Sequence, residues 1–250
     1  MGKNFFGFAR PPITCMVQAD NPERIKELMK FSRAVGADAF GMQFERLKPE
    51  YRDRKILRDL FKSADDAPVY VTNYRLYENL GKSDEMLADE LIELAECGGA
   101  LIDVMGDFFA PNQDELTEDE KAVERQKHLI DELHKRGAKV LMSSHVGRFL
   151  SPERVLEMAL MQKSRGADVC KIVTQADNLT EETENFRIVD LLRRKLGIPF
   201  LFLSGGESRA LRLFGASFGN FASLCVYEHD RFATREQPLL RDMITARNLF

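Results

Sequence analysis

Strand-like and helix-like segments alternate eight times along this chain, and this alternation constrains its fold more than any other feature. Four of the units end a helix with the same glycine–alanine pair immediately before the next strand. These pairs are Gly36-Ala37, Gly99-Ala100, Gly137-Ala138 and Gly166-Ala167. Strands that alternate with helices predict a parallel sheet. Eight units favour a closed (β/α)8 TIM barrel of class α/β over a doubly wound sheet, because no GxGxxG follows the first strand, Ile13–Val17.

Length and composition agree with a soluble barrel. The chain has 250 residues, 44% hydrophobic and 30% charged, without a composition break, so we predict one domain over residues 1–250, with residues 1–11 as an N-terminal arm. A net charge of −4 gives no reason to expect nucleic acid or a membrane surface as partner. No apolar run is long enough to span a bilayer or to form a signal-peptide core. The four cysteines lack CxxC spacing, which predicts reduced core residues in a cytoplasmic protein.

Barrels of this type carry their chemistry at the carboxyl ends of the strands. The polar residues predicted there are Gln18, Gln43, Glu45, Asn73, Arg75, Asp103, Ser143, His145, Lys171, Thr174, Ser204 and Glu228. Arg75 and Lys171, with Arg212 after the seventh strand, form a cationic set that would suit an anionic substrate.

Lys171 interrupts an apolar strand, Val169–Val173, and its charge needs an explanation. If the side chain points into the barrel, a low-dielectric pocket would favour the neutral amine, which can attack a carbonyl and form an imine. The alternative is a lysine whose charge is matched by a carboxylate such as Asp103.

His145 ends the strand one unit before Lys171, in the run Lys139-Val-Leu-Met-Ser-Ser-His145. It is a candidate general acid and base, or else a hydrogen-bonded loop histidine. Asp103, on the preceding strand, is expected to fix its tautomer, unless that carboxylate pairs with a lysine or arginine instead.

Other polar clusters are weaker candidates. The stretch Gly205–Ser208 precedes a short helix and could cradle a phosphate or carboxylate, or form only a tight turn. The acidic run Asp114–Glu120 is interpreted as a solvated helix start, and Glu228–Asp230 as a solvated loop rather than a metal site.

Taken together, these segments resemble the type I 3-dehydroquinate dehydratase family over nearly the whole chain. Met142–His145 resembles its Ser-Asn-His motif, and Cys170–Val173 resembles its Pro-Lys-Ile-Ala motif with the imine-forming lysine. Leu101–Val104 is similar to the strand whose aspartate orients the histidine. Thr72–Arg75 and Arg212–Asn220 resemble two arginine-bearing segments of the family.

The resemblance implies dehydration of 3-dehydroquinate to 3-dehydroshikimate through an imine on Lys171, with His145 as proton shuttle and Asp103 orienting it. It implies no cofactor and no metal, an anionic hydroxy-keto acid as substrate, and a homodimer. Arg75, Arg212 and Gln237 would contact the substrate.

Several positions depart from the family pattern. The segment Gly41–Glu45 stands where the family has Glu-Trp-Arg-x-Asp, so Gly41 replaces an acid and Gln43 an arginine. Met105 replaces a second acid. The acid that follows the strand-three arginine is displaced to Glu78 or replaced by Asn79, and Ser204 lies in a rebuilt strand-seven segment. Gln43, Glu78 and Ser204 are therefore predicted to bind substrate in a modified pocket.

Three hypotheses follow from these observations. The first is a 3-dehydroquinate dehydratase of aromatic biosynthesis or quinate breakdown. The second is an imine-forming lyase or aldolase-like enzyme that acts on a different keto acid, which the changes at Gly41 and Gln43 favour. The third is a non-catalytic barrel that binds an anionic metabolite, although such a protein would not need both Lys171 and His145.

Overall fold

The computed structural model describes residues 4–206 and 209–249, and every strand in this part of the chain is followed by a helix. The strands are β1 Ile13–Val17, β2 Ala39–Gln43, β3 Val69–Thr72, β4 Leu101–Met105, β5 Lys139–His145, β6 Val169–Ala176, β7 Phe200–Gly206 and β8 Ser223–Cys225. The helices are α1 Pro22–Val35, α2 Arg54–Ser63, α3 Asp84–Cys97, α4 Glu120–Lys135, α5 Pro152–Ser164, α6 Leu179–Lys195, α7 Arg209–Phe218 and α8 Leu240–Arg247.

All eight strands belong to one parallel sheet, in the order β7-β6-β5-β4-β3-β2-β1-β8. The sheet curls so that its two edge strands, β7 and β8, approach each other. The backbone N–H of Phe221, just before β8, donates to the carbonyl of Phe200 in β7 at 2.7 Å. The predicted (β/α)8 TIM-barrel fold is thus confirmed, and the contact between β7 and β8 is made by irregular backbone instead of a strand ladder.

Helix ends follow from local sequence. Asn21 caps α1 by accepting a hydrogen bond from the backbone N–H of Arg24, and Pro22 occupies the first turn. Gly36 then ends the helix at φ +116°, a conformation that residues with a Cβ rarely adopt. The short helix expected after Gly205–Ser208 is α7, which continues to Phe218.

Strand β6 shows how the sheet aims its side chains. Cys170 and Ile172 face outward and pack among apolar residues of α5 and α6. Val169, Lys171 and Val173 face the barrel interior, because side chains alternate between the two sides of a strand. Lys171 is therefore one of the inward-facing residues, as its position in the apolar strand predicted.

The barrel floor is apolar and is covered by the N-terminal arm. Phe5 is 3% exposed and packs with inward-facing residues such as Leu101 and Leu141 from the beginnings of β4 and β5. Its ring lies 6.3 Å from that of Phe221. The arm thus keeps water away from the end of the barrel opposite the polar residues.

Two further sequence predictions concern the whole fold. All four cysteines are buried and unpaired, as expected for reduced core residues. Among the described helices, none is both long and apolar enough to cross a membrane.

Candidate active site

A cavity of about 370 Å³ opens at the carboxyl ends of the strands. Its lining is Met16, Gln43, Glu45, Tyr70, Thr72, Tyr74, Arg75, Leu76, Tyr77, Met105, Glu115, His145, Lys171, Val173, Leu203, Arg212, Leu224, Thr234 and Gln237. The size suits a small organic acid, and most of the polar lining comes from the residues that the sequence placed at this end.

Lys171 reaches the cavity from the barrel interior and is only 4% exposed. Its Nζ donates to the hydroxyl oxygens of Tyr74 at 2.7 Å and Tyr70 at 3.0 Å. It also lies 3.2 Å from Oδ2 of Asp103, with which it forms a buried ion pair. The charge of Lys171 is therefore matched by Asp103, and the amine still faces a cavity where a carbonyl could bind.

Asp103 is the centre of this buried network. Its Oδ2 also accepts hydrogen bonds from Tyr70 and, at 2.6 Å, from Tyr74, while its Oδ1 accepts one from Ser143. These donors and the nearby ammonium stabilise a carboxylate that is only 1% exposed.

The expectation that Asp103 orients His145 was wrong. Asp103 lies opposite Leu141 in the β4–β5 ladder, four residues before His145. Four residues of strand span roughly 13 Å, which is beyond the reach of an aspartate side chain.

Glu115 holds His145 instead. Its Oε2 accepts from the backbone N–H of His145 at 2.8 Å and lies 2.9 Å from the ring Nδ1. Burial raises the pKa of Glu115, but the hydrogen bonds and charge of His145 outweigh burial and lower the pKa below its ordinary value. An ionised carboxylate only accepts hydrogen bonds, so Nδ1 carries the proton and Nε2 is left as the basic nitrogen.

Sequence reasoning missed this role of Glu115. The acidic run Asp114–Glu120 was interpreted as a solvated helix start, whereas Glu115 lies in the loop before α4 and is one-third exposed. Its backbone has φ +46°, a left-handed conformation that turns the side chain towards the barrel. The ring of His145 also packs edge-on against Tyr74, with the centroids 5.2 Å apart.

Burial, followed by the charge of Asp103, raises the pKa values of both Tyr70 and Tyr74 well above the ordinary value for tyrosine. Both phenols therefore keep their protons at neutral pH, and each can donate a hydrogen bond to Asp103 while it accepts one from Lys171.

Three of the predicted substrate-binding residues, Arg212, Gln237 and Gln43, line the cavity. Arg212 donates from Nε to the carbonyl of Ser204 at 2.7 Å, which directs the guanidinium, and it forms no ion pair within the described residues. The Oε1 of Gln237 is buried without a hydrogen-bond partner there. The Oε1 of Gln43 accepts from Arg46 at 2.6 Å.

The remaining three have other positions. Arg75 lines the cavity, but Asp84 at 2.7 Å and Asp107 at 2.8 Å already pair with its guanidinium. Glu78 is exposed and does not line the cavity. Ser204 is buried on the outward face of β7, because its neighbour Leu203 faces inward, so only its carbonyl serves the site. The predictions for the Glu78 and Ser204 side chains were wrong.

Glu45 is a second buried carboxyl group in the cavity wall. It is fully buried, and Thr72 donates a hydrogen bond to it at 2.9 Å. Burial raises its pKa to about 7 despite hydrogen bonds that favour the ionised form. The group thus changes charge near neutral pH, next to any bound ligand.

The other polar residues predicted at this end of the barrel bond protein groups or lie outside the described residues. Gln18 hydrogen-bonds Thr234, and Glu228 pairs with Arg24 outside the cavity. The predicted anion cradle includes Glu207 and Ser208, which lie outside the described residues. Within residues 4–206 and 209–249, no group of three or more His, Cys, Asp or Glu side chains is arranged to hold a metal ion.

Comparison with known proteins places this geometry in a family. A model of the type I 3-dehydroquinase family matches residues 13–249. The chain belongs to the type I 3-dehydroquinase family. The resemblance predicted from the strand motifs is therefore confirmed, and the enzymes of this family are lyases that eliminate water.

Solved structures of the family share the fold of this dehydroquinase-family chain. The type I 3-dehydroquinate dehydratase from Clostridium difficile, solved with covalently modified comenic acid, has a TM-score of 0.80 at 19% identity, covering 97% of this chain and 93% of that one. The enzyme from Geobacillus kaustophilus has a TM-score of 0.82 at 15% identity, covering 97% and 92%. The enzyme from Enterococcus faecalis has a TM-score of 0.76 at 18% identity, covering 98% and 95%. No curated protein sequence matched the chain.

The positions that depart from the family pattern are spread around the barrel, with Gly41 on β2, Met105 at the end of β4 and Ser204 on β7. A Cβ at Gly41 would lie 2.1 Å from Sδ of Met16, so the Met16 side chain occupies the space where the family has a larger residue. Met105 lines the cavity opposite Ser143 of β5, so an apolar side chain stands at a second position where the family pattern has an acid.

Proposed function

We propose that this protein dehydrates 3-dehydroquinate to 3-dehydroshikimate through an imine on Lys171. The observation that carries the proposal is the pairing of a buried amine and a histidine, with Nδ1 held by a carboxylate, in the wall of one cavity. An amine that can form an imine and a base with its Nε2 free are the two groups that this elimination needs.

The reaction begins with loss of a proton from Lys171, for which Asp103 at 3.2 Å is the acceptor in contact. The neutral amine adds to the ring ketone, and loss of water gives a protonated imine. This cation withdraws electrons from the neighbouring carbon and makes its C–H bond acidic. The proton that Asp103 accepted leaves with this water, so the Asp103 carboxylate is restored opposite the cation and an ion pair like that of the resting protein forms again.

His145 then acts twice at its Nε2 atom. It removes the proton next to the imine carbon and afterwards gives a proton to the departing hydroxyl group, which leaves as water. Glu115 keeps Nδ1 protonated and stabilises the imidazolium between the two steps. Hydrolysis of the imine releases the enone and returns the lysine.

Arg212 is the group best suited to the substrate carboxylate. It lines the cavity, it forms no ion pair among the described side chains, and Ser204 fixes its orientation. The unpartnered Oε1 of Gln237 can accept a hydrogen bond from a substrate hydroxyl.

A second candidate is the same chemistry on a different hydroxy-keto carboxylate. Met16 fills the space beside Gly41, and Met105 lines the cavity at the end of β4, so two positions where the family pattern has an acid offer no partner for a substrate hydroxyl group. A pocket that lacks such partners discriminates less well among substrates that differ in their hydroxyls.

Turnover can be followed through the ultraviolet absorbance of the conjugated product. We expect the purified protein to convert 3-dehydroquinate, and Lys171→Met to lower kcat by more than about 10⁴-fold, since it removes the covalent step as well as its acid–base assistance. Because Lys171→Met leaves Asp103 unpaired, folding is checked by circular dichroism, and Lys171→Met with Asp103→Asn serves as a second variant.

Three outcomes would change the proposal. Turnover of another hydroxy-keto acid, with none of 3-dehydroquinate, would select the second candidate. Binding of both acids without turnover would select a metabolite-binding barrel. Full activity in a folded Lys171→Met variant would rule out the imine mechanism.

A further inference from the structure

Tyr74 connects the buried ion pair to the open cavity. Its hydroxyl group lies 2.7 Å from Nζ of Lys171 and 2.6 Å from Oδ2 of Asp103. Its ring forms part of the cavity wall and packs edge-on against His145. A residue of the cavity wall therefore bonds both the amine and the carboxylate through its hydroxyl group.

Imine formation needs a proton carrier in this position. The oxygen of the substrate ketone must receive protons before it can leave as water, and the amine must lose them. Asp103 can take the first proton, but its side chain is fully buried and is not part of the cavity wall. A proton on Asp103 therefore has to pass through another group to reach the substrate oxygen.

Tyr70 makes the same two contacts and also lines the cavity, but it lies deeper than the partly exposed Tyr74. Its hydroxyl group bonds both Lys171 and Asp103, yet the residue is only 2% exposed. Its ring also packs with Leu101 and Leu141 in the apolar floor of the barrel. Tyr70 thus supports the ion pair from below, whereas Tyr74 faces the bound ligand.

We propose that Tyr74 is a further catalytic residue, which carries protons between the Lys171–Asp103 pair and the carbonyl oxygen of the substrate. The proposal rests on imine formation at Lys171, but it does not depend on which keto acid is the natural substrate.

Each step of this relay balances. In the resting state the Lys171 ammonium gives a proton to the Tyr74 oxygen, and Tyr74 passes its own proton to Asp103. The neutral amine attacks the carbonyl carbon, and Tyr74 moves a proton from the new ammonium nitrogen to the alkoxide, which gives a neutral carbinolamine. The Asp103 proton then returns through Tyr74 to the carbinolamine hydroxyl. The C–O bond breaks, water leaves, and a protonated imine remains opposite the Asp103 carboxylate.

The test compares Tyr74→Phe with Tyr70→Phe, since each variant removes one hydroxyl group from the same two partners. Imine formation is measured as the rate at which borohydride traps 3-dehydroquinate on Lys171, detected by peptide mass spectrometry. Glyoxylate with cyanoborohydride is run in parallel as a small keto-acid probe. We expect Tyr74→Phe to slow trapping by roughly 10²-fold with either probe, and Tyr70→Phe to slow it by less than about 10-fold.

The solvent deuterium isotope effect on the trapping rate distinguishes a loss of proton transfer from a shift in the position of the Lys171 side chain. Trapping by the unmodified protein should slow in heavy water, and this isotope effect should differ in Tyr74→Phe. Equal slowing by the two variants, or unchanged trapping in Tyr74→Phe, would overturn the assignment. Adducts with glyoxylate but not with 3-dehydroquinate would reject the proposed substrate while still testing the relay. Absence of any Lys171 adduct in the unmodified protein would overturn both.

Discussion

The two sides of the cavity differ in whether their polar groups have hydrogen-bond or ion-pair partners within the protein. On the side of Lys171 and His145, each reacting side chain is held by protein partners, Asp103 and Glu115 among them. On the side of Arg212 and Gln237, the Arg212 guanidinium forms no ion pair and Oε1 of Gln237 has no hydrogen-bond partner among the described residues. The first side is thus preorganised for chemistry, whereas the polar groups of the second side gain these partners only when a ligand binds. Substitutions should therefore lower kcat on the first side and raise KM on the second.

After Lys171→Met, the largest effect is expected at the His145–Glu115 pair. His145→Ala should lower kcat by roughly 10²–10⁴-fold, the usual contribution of a general acid and base. Glu115→Ala should lower it by roughly 10²-fold, because Nδ1 is no longer held protonated and Nε2 is no longer the fixed base. The measurement is steady-state kinetics together with the rate of borohydride trapping, which should be retained in both variants.

The adjacent carboxylate provides a matched control for Glu115. Asp114 pairs with Arg148 at 2.8 Å and with Arg154 at 3.4 Å, and it is not part of the cavity wall. Asp114→Asn should leave kcat close to that of the unmodified protein. If Asp114→Asn and Glu115→Ala lowered kcat equally, the loop would act through its overall conformation rather than through the histidine contact.

A smaller effect is expected on the recognition side. Arg212→Gln should raise KM by roughly 10- to 100-fold, since a hydrogen bond to a charged group contributes about 1.5–3 kcal/mol, while kcat changes less. Arg75→Gln should instead lower the free energy of unfolding more than it raises KM, because it leaves the buried Asp107 unpaired. Kinetics and urea unfolding of both variants distinguish these results, and a larger KM for Arg75→Gln than for Arg212→Gln would reverse the assignment.

The smallest effect concerns Glu45 and the pH dependence of stability. Burial raises its folded-state pKa to about 7 from the ordinary 4.5, so the folded protein holds this proton more tightly than the unfolded chain does. Its contribution to stability is therefore lost as the pH rises from about 4.5 to about 7. Glu45→Gln should gain about 1 kcal/mol relative to the unmodified protein between pH 6 and pH 8. Urea unfolding at both pH values checks this, and a constant difference would contradict the burial argument.

The fold and the two reacting residues could be predicted from the sequence because both depend on local patterns. Period-two alternation places Lys171 inside the barrel, and the repeated glycine helix stops mark where a helix ends and the next strand begins. The same alternation, applied to β7, would have placed Ser204 on the outward face beside the inward Leu203.

The group that orients His145 could not be predicted in this way. Glu115 lies in an irregular loop, where no periodicity relates residue number to direction. Its position depends on the turn at Asn112, whose side chain accepts backbone hydrogen bonds from Asp114 and Leu116, and on two left-handed residues, Phe109 and Glu115. Asn112 signals a turn, but it does not indicate which strand the turn approaches.

The central claim is that Lys171 forms the imine while His145, held by Glu115, performs the elimination. The most direct test is the mass of the His145→Ala protein after incubation with 3-dehydroquinate and borohydride. We predict an adduct on Lys171 that retains the hydroxyl group, because the imine forms but water is not eliminated. An adduct that has lost this water, or an adduct on a different lysine, would contradict the account.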